Sequence, residues 1–284
     1  SIALSVLRRM AYPYLMMSAI FMGMPALEAM TRYARVEERN YTDCVSNIEG
    51  TNKEEVAKIF AKVKEDGRDT LLGSEAYAVA DAYGISAAPI KLATSASDAG
   101  DLAEEMEFPV VLKIASDKIL HKSDIGGVKV GIENREEAEA AYDEIIANAK
   151  KAHPDIVPDG VEVQKMMPSG QEVLVGMVKD RQFGPMIAFG MGGIYVNLIE
   201  DVSFKLAKGL TCDEIDEQIE NTKVATLLKG YRGEAPCDIE EVKEAIKRVA
   251  KLTIDFPEIS ELDINPIFVY EERSSALDVK IKLD

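Results

Sequence analysis

The sequence has no tryptophan, only 6% aromatic residues, and only three cysteines in 284 residues. The spacing of Cys44, Cys212 and Cys237 matches no metal-binding motif, and we predict reduced thiols in a cytoplasmic protein. Hydrophobic residues nevertheless make up 47% of the chain, which excludes a disordered or fibrous protein. The length predicts roughly two compact units.

Positive charge is also scarce, with 33 basic against 50 acidic residues and a net charge of -17. Because this field repels phosphates and anionic lipids, and no basic patch offsets it, we exclude nucleic acid and membrane surfaces as partners. An anionic nucleotide would meet the same repulsion. A nucleotide site in this chain must therefore concentrate lysines, backbone N–H groups and a divalent cation locally.

Long hydrophobic runs are missing apart from Ala11–Met24, which follows Arg8 and Arg9. Pro13 interrupts this run, and it is shorter than the about 20 residues that a membrane span needs. We interpret it as a buried segment rather than a signal peptide, followed by a helix over 25–38. Since the sequence does not begin with methionine, we expect it to be part of a longer chain.

Helix and strand patterns alternate from residue 74 to 152, and a second block rich in short strands begins at Gly160. The first block is typical of α/β proteins, and the second indicates antiparallel sheet. We therefore predict an α/β protein with two α+β lobes. The strands predicted in the second block are Val161–Met166, Glu172–Lys179, Met186–Met191, Tyr195–Ile199, Leu262–Tyr270 and Ala276–Lys282.

The segment from Pro109 to Val130 joins a buried strand to a loop that contains glycine. Lys113 lies near the end of the strand, where an ammonium group can meet phosphate oxygens. Gly126 and Gly127 allow backbone N–H groups to approach an anion. A hairpin turn with an incidental lysine is the alternative. Lys122 of the loop could help to neutralise phosphate, but we interpret it as a solvated surface residue.

The C-terminal strands carry a second polar group. Asp263 and Asn265 are two residues apart and so share one face of a strand. A four-residue turn over 271–274 would place Ile267 opposite Asp278, so that Asp278 shares that face and lies diagonal to Asn265. Such oxygen ligands suit Mg²⁺. The alternative is a set of polar residues on the solvent face of an edge hairpin.

Three strings occur together in this order: His-Lys-Ser-Asp-Ile-Gly-Gly-Val-Lys, Phe-Gly-Met-Gly-Gly and Glu-Leu-Asp-Ile-Asn-Pro. With them, the segment 71–284 resembles the ATP-grasp β component of ADP-forming acetyl-CoA synthetases, in the succinyl-CoA synthetase superfamily. The resemblance implies an ATP-grasp domain of two lobes over residues 67–284, divided near residue 158. Residues 1–66 look like the helical end of a CoA-ligase domain plus a linker helix.

The resemblance also implies roles for individual residues. Lys113 would hold the nucleotide phosphates, and Asn265 and Asp278 would bind Mg²⁺. His121 would be the transiently phosphorylated histidine, with Asp263 orienting it; a loop histidine without catalytic function is the alternative. The strand that contains Gln164, Lys165 and Met166 would contact adenine through its backbone groups. Glu172 would face the ribose.

The function implied is phosphoryl transfer between a phosphohistidine and ADP or ATP with Mg²⁺, within an acetate–CoA ligase (ADP-forming). The partner would be a CoA-ligase domain or α subunit that carries another phosphohistidine and binds CoA, so we expect the isolated chain to be incomplete. Two alternatives stay open. They are a succinyl-CoA ligase-type β subunit and a regulatory nucleotide-binding domain fused to a protein acetyltransferase.

Overall fold

A computed structural model of the chain describes residues 42–119, 122–193 and 201–284. Three of the predicted features lie outside the described residues: the N-terminal segment with its helix over 25–38, His121, and the strand Tyr195–Ile199. Residues 43–284 form one compact unit. The description below concerns that unit.

Two helices, α1 (Lys53–Glu65) and α2 (Gly73–Ala82), precede the first sheet. That sheet has four antiparallel strands in the order β1-β4-β2-β3. Two helices, α3 and α4, pack beside these strands, and together they form the first lobe. Its elements are β1 (Ile90–Ala93), α3 (Ala96–Glu105), β2 (Val110–Ala115), β3 (Val128–Ile132), α4 (Arg135–Ala152) and β4 (Gly160–Lys165).

The second lobe contains a six-stranded antiparallel sheet in the order β10-β8-β5-β6-β7, with β9 paired to β8. Helix α7 packs on β5, β6 and β8, and helices α5 and α6 lie beside it. The elements of this lobe are β5 (Gln171–Asp180), β6 (Gly184–Met191), β7 (Val202–Leu206), α5 (Cys212–Glu220), α6 (Val224–Leu228), α7 (Ile239–Asp255), β8 (Ile259–Val269), β9 (Ser274–Ala276) and β10 (Val279–Leu283).

The division predicted near residue 158 falls one strand too early. Strand β4 comes after it in sequence but lies in the first sheet, because the chain returns after α4 and places β4 between β1 and β2. Helices α1 and α2 precede the first sheet, yet their buried residues Val56, Phe60 and Val79 belong to the core of the second lobe. Lobe membership thus follows packing rather than chain order.

Side-chain caps begin the longer helices at positions that the sequence marks by a capping residue with a glutamate three residues later. The Asn52 side chain accepts a hydrogen bond from Glu55 N (3.1 Å) at the start of α1. Thr211 and Glu214 bond each other reciprocally at the start of α5. Each cap satisfies a backbone N–H group that has no partner within the helix. Asn134 and Asp238 cap α4 and α7 in the same way.

The first sheet buries one face under helices and turns the other toward the second lobe. Leu112 is paired with Val163, and both side chains are fully buried in the core beneath α3 and α4. Alternation then places the next pair, Lys113 and Glu162, on the opposite face. The sequence of these strands thereby combines an apolar core with a polar surface that faces the second lobe.

The prediction of three reduced thiols is wrong for two of the cysteines. Cys44 and Cys212 form a disulfide with a Cα–Cα distance of 5.5 Å, whereas Cys237 is free. An isolated bridge between Asp43 and Thr211 brings the two cysteines together. They are 168 residues apart in sequence, and spacing alone cannot reveal such a pair.

Within the described part of the chain, no helix combines the length and the apolar character needed to cross a membrane.

The disulfide makes a testable prediction about thiol content and stability. The unfolded, unreduced protein should show one reactive thiol, and reductant should raise the count to three. Cys212→Ser should lower the free energy of unfolding by about 2–4 kcal/mol, because the unfolded chain loses a long-range crosslink. Denaturant titration measures this change. Cys237→Ser is the control, and an equal effect of both variants would contradict the prediction.

Candidate functional site

A cavity of about 640 Å³ lies between the two lobes. We call it the interlobe cavity. The first lobe contributes the polar face of its sheet and the loop that follows β2, and the second lobe contributes the last hairpin. The lining residues used below are Lys113, Lys122, Glu162, Gln164, Leu277, Asp278 and Lys280.

The backbone carbonyl of Leu277, in the second lobe, accepts two hydrogen bonds from the first lobe at this cavity. Leu277 O accepts a hydrogen bond from Lys113 Nζ at 3.3 Å and another from Gln164 Nε2 at 3.0 Å. The two donors lie on β2 and β4, on the polar face of the first sheet. Both donors therefore point into the space where a ligand would lie between the lobes.

Lys113 is an unusual lysine because it is largely buried. Burial is the main cause that lowers its pKa, while the carboxylate of Asp278 is the largest influence that raises it. Lys122 and Lys280 lower the pKa further, and Glu162 raises it. Three lysines thus converge on one cavity in a chain of net charge -17. This is the local concentration of cations that an anionic ligand requires.

Glu162 is the most deeply buried carboxylate of the cavity wall, with a relative exposure of 1%. It accepts a hydrogen bond from Ser74 N (2.7 Å) at the start of α2 and lies 3.5 Å from Lys122 Nζ. The interpretation of Lys122 as a solvated residue is therefore wrong. The fold brings Lys122 to a buried carboxylate that is 40 positions later in the sequence.

The last hairpin places Asn265 beside Asp278. The predicted pairing of Ile267 with Asp278 is wrong, since Ile267 pairs with Ala276 and Asn265 N donates to Asp278 O at 3.1 Å. The turn is tighter than predicted, because Tyr270 N donates to Arg273 O at 2.8 Å. A shift of two residues preserves the face of the strand. The two candidate metal ligands therefore still share one face.

Asp263 lies on the same strand, two residues before Asn265, and pairs with Lys280 of β10. Burial raises the pKa of the Asp263 carboxyl, which the positive charge of Lys280 partly offsets. Lys280 also lies 3.6 Å from Asp278. A further cation beside this carboxyl group would favour its ionised form and could donate a hydrogen bond to the carboxylate oxygens.

A second cluster forms where the Phe-Gly-Met-Gly-Gly string meets β8. Gly193 N donates to Asn265 Oδ1 at 2.8 Å, and Gly192 N donates to Glu172 O at 3.1 Å. Gly193 has a φ of +83°, and a Cβ at this position would collide with the Glu172 carboxylate. Only glycine fits there. The string thus brings Glu172 close to Asn265 through a tight backbone approach.

The strand predicted to face adenine uses its amide groups within the protein. Lys165 N donates to Pro89 O (3.0 Å), and Met166 N donates to Pro109 O (3.1 Å). The side chain of Lys165 donates to the carbonyl of Glu107, and Met166 is partly exposed. Lys165 and Met166 lie outside the lining of the interlobe cavity, whereas Gln164 belongs to it.

The paired glycines of the loop do not line the cavity. Gly127 N donates to Lys122 O at 2.8 Å, which closes the loop on itself. Gly126 O accepts a hydrogen bond from the Asn148 side chain. The loop residues that reach the cavity precede the glycines. The anion-binding role of Gly126 and Gly127 stays a prediction. His121 lies outside the described residues, although its chain neighbour Lys122 lines the cavity.

Sequence reasoning missed Glu162 and Lys280, and it favoured the solvated interpretation of Lys122 over a role in neutralising phosphate. One pattern does reveal Glu162: in Val161-Glu162-Val163-Gln164 the apolar and polar residues alternate, so Glu162 and Gln164 share a face. That face is opposite the buried valines and lines the cavity. The position of Lys280 depends on the hairpin register and could not be assigned before the turn was known.

The described residues contain no group of three or more His, Cys, Asp or Glu side chains arranged for a metal ion. Asn265 and Asp278 still offer an amide and a carboxylate oxygen on one strand pair. Mg²⁺ is commonly held by one or two such ligands, with the remaining positions taken by water and phosphate. The donor set is therefore compatible with a metal that arrives with a nucleotide.

The chain is similar to proteins of known family. The model of an ATP-grasp domain family matches residues 62–283. The β subunit of ADP-forming acetate–CoA ligase I from Pyrococcus furiosus is 42% identical over 226 residues, which cover 80% of this chain and 97% of that protein. The ADP-forming acetate–CoA ligase I of Archaeoglobus fulgidus is 40% identical over 91% of this chain, but the chain spans only 37% of that protein.

A solved structure is similar as well. It is the acetyl-coenzyme A synthetase 1 of Ca. Korarchaeum cryptofilum, in complex with coenzyme A and Mg-AMPPCP and with its phosphohistidine segment pointing towards the nucleotide binding site. The TM-score is 0.72 at 38% identity, over 81% of this chain and 100% of that chain. The chain described here therefore belongs to the ATP-grasp family and, within it, to the group of ADP-forming acetate–CoA ligase β subunits.

Proposed function

We propose that this chain is the nucleotide-binding component of an ADP-forming acyl-CoA synthetase, and that it passes a phosphoryl group between His121 and ADP. One observation carries the proposal: Lys113, Gln164 and Asp278 meet in a single cavity between the lobes. Lys113 and Gln164 both donate to the Leu277 carbonyl, and anionic oxygens of the nucleotide would compete with that carbonyl for the Lys113 ammonium group.

In the proposed step, an oxygen of the ADP β-phosphate attacks the phosphorus of N-phosphorylated His121. The new O–P bond forms while the N–P bond breaks, and the electron pair returns to the imidazole nitrogen. Imidazole suits this role because it is neutral near pH 7 and its phosphoryl group transfers easily. Positioning and charge neutralisation provide most of the catalysis in such reactions. Lys113 supplies both, and Asp263 orients the imidazole.

Asn265 and Asp278 would hold Mg²⁺ together with phosphate oxygens and water. The metal would neutralise charge on the phosphates. The hydrogen bond from Gly193 N to Asn265 Oδ1 orients that side chain in advance, and the backbone bond between Asn265 and Asp278 fixes their separation. The chain itself therefore supplies a rigid pair of oxygen ligands rather than a complete cage.

We assign the contacts with adenine to the strand that contains Gln164, Lys165 and Met166. We assign the contact with the ribose to Glu172. The amides of Lys165 and Met166 bond to Pro89 and Pro109, so contacts of this strand with adenine fall to carbonyl oxygens and the Gln164 side chain. The loop glycines Gly126 and Gly127 would shape the loop beside the phosphates.

The acyl and CoA chemistry belongs to a partner. The Pyrococcus relative is named a β subunit, and the chain spans only 37% of the Archaeoglobus relative. We propose that a CoA-ligase domain or α subunit supplies a second phosphohistidine and binds CoA. The overall reaction would be acyl-CoA + ADP + phosphate ⇌ acid + CoA + ATP. These substrates are found inside cells, which supports a cytoplasmic location. The Cys44–Cys212 disulfide is compatible with that location, because cytoplasmic proteins of hyperthermophiles contain disulfides.

Replacing Lys113 by methionine should weaken ADP binding about 10- to 100-fold, because a charge-assisted hydrogen bond to phosphate is lost without a change in length. Isothermal titration calorimetry measures the dissociation constant. Lys129→Met is the matched control, because Lys129 of β3 lies away from the cavity, with its Nζ 2.6 Å from Oε1 of Glu144 on helix α4. Equal affinity of the Lys113→Met variant and the control would remove Lys113 from the phosphate site.

Asn265→Ala and Asp278→Asn should each abolish the part of ADP affinity that depends on Mg²⁺ and leave the metal-free affinity within about threefold of the original, a difference under 1 kcal/mol. Titrations with Mg²⁺ and with EDTA separate the two parts. Asp155→Asn, at an exposed position, is the control. A retained Mg²⁺ effect in both site variants would place the metal elsewhere.

The chain incubated with γ-labelled ATP and Mg²⁺ should take up label that is labile in acid and stable in base, as a phosphohistidine is. His121→Ala should abolish the label, and His153→Ala, which changes the other histidine, should retain it. ADP binding without any label, even when the CoA-ligase partner is supplied, would favour the regulatory alternative. Label on His153 would contradict the assignment of His121.

A further inference from the structure

Glu162 is a buried charge that the phosphoryl-transfer scheme does not use. Its relative exposure is 1%, and it lies on the strand between Val161 and Val163, both fully buried. A buried carboxylate is costly unless hydrogen bonds and opposite charges compensate it. The partners of Glu162 therefore indicate why a glutamate stands at this position rather than an apolar residue.

One partner is the start of helix α2. Ser74 N donates to Glu162 Oε1 at 2.7 Å, and the carboxylate lies at the positive end of the helix dipole. Gly73 makes the approach possible, because a Cβ there would be 2.7 Å from Glu162 Oε2. Since α2 belongs to the core of the second lobe, this contact links the first sheet to the second lobe.

The other partner is Lys122, whose ammonium group lies 3.5 Å from Glu162 Oε2. Lys122 follows His121 directly in the chain, and its carbonyl accepts a hydrogen bond from Gly127 N. The loop is thus held at Lys122 twice, by its side chain and by its backbone. Glu162 also balances the positive charges of Lys122 and Lys113, which lies opposite Glu162 in the sheet.

We propose that Glu162 is a positioning residue that anchors the histidine loop through Lys122, and so presents His121 to the nucleotide. This inference rests on the proposed function and deepens it. The anchor is fixed at both lobes: the carboxylate stays on the α2 N-terminus while its second oxygen holds the lysine.

Glu162→Gln tests the anchor, because the amide oxygen can still accept the Ser74 N–H bond while the charge that holds Lys122 is lost. ADP affinity should stay the same or increase, since a negative charge near the phosphates is removed. The rate at which His121 takes up label from γ-labelled ATP should fall at least tenfold. Hydrogen–deuterium exchange of the peptide 116–127 should become faster in the ligand-free protein.

Gly73→Ala is an independent test that keeps every charge. Its methyl group would displace the Glu162 carboxylate, and the same split between unchanged ADP affinity and slower labelling is expected. Lys122→Met should slow labelling as much as Glu162→Gln does, and the double variant should be no slower, because the two residues act as one unit. Glu144→Gln, which breaks the surface pair with Lys129, is the control for loss of a lysine–carboxylate contact.

Labelling and exchange at the original rates in Glu162→Gln would overturn the inference. A parallel loss of ADP affinity, labelling and thermal stability would also overturn it, because it would indicate a purely structural role. If the chain without substitutions takes up no label even when the CoA-ligase partner is supplied, the proposed function fails on its own. The exchange experiment then still decides the anchor: an unchanged rate for 116–127 in both Glu162→Gln and Gly73→Ala refutes it.

Discussion

The geometry of the site depends on one backbone carbonyl, that of Leu277. It accepts hydrogen bonds from Lys113 and Gln164 and thereby fixes the separation of the two sheets at the cavity. The carbonyl is available because the last hairpin carries it between β9 and β10, where Leu277 N is bonded to Pro266 O. Both donors are partly or fully buried, so an acceptor at this point avoids the cost of leaving them unpaired.

Electrostatics explains how an acidic chain can hold an anionic ligand. The net charge of -17 belongs to the chain as a whole, whereas Lys113, Lys122 and Lys280 line one cavity. Screening weakens surface charges, but buried charges act strongly at short range. Glu162 and Asp278 keep these lysines from repelling one another. The local field at the cavity is therefore set by a few neighbouring charged groups, of which Glu162 and Lys113 are largely buried, rather than by overall composition.

Local patterns predicted much of the fold. Helix caps such as Asn52 and Thr211 were found because a cap depends on residues three apart, and strands β2 and β8 were found because alternation is local. Three features depend on contacts that only the folded chain makes: the Cys44–Cys212 disulfide, the place of β4 in the first sheet, and the burial of Glu162. The predicted hairpin register was wrong by two residues, because the register depends on the length of the turn and the turn is shorter than predicted. Lys113 and Asp278 nevertheless share a cavity, as their chemistry suggested.

The crosslink at Cys44 has a mechanical consequence. Cys212 begins helix α5 of the second lobe, and Val45 beside Cys44 is buried in the core of that lobe. A pull applied at residue 43 is therefore transmitted covalently into the second lobe and bypasses α1, α2 and the first sheet. The first sheet carries no share of that load. Breaking the contacts between the first sheet and the last hairpin would therefore leave residue 43 attached to the second lobe.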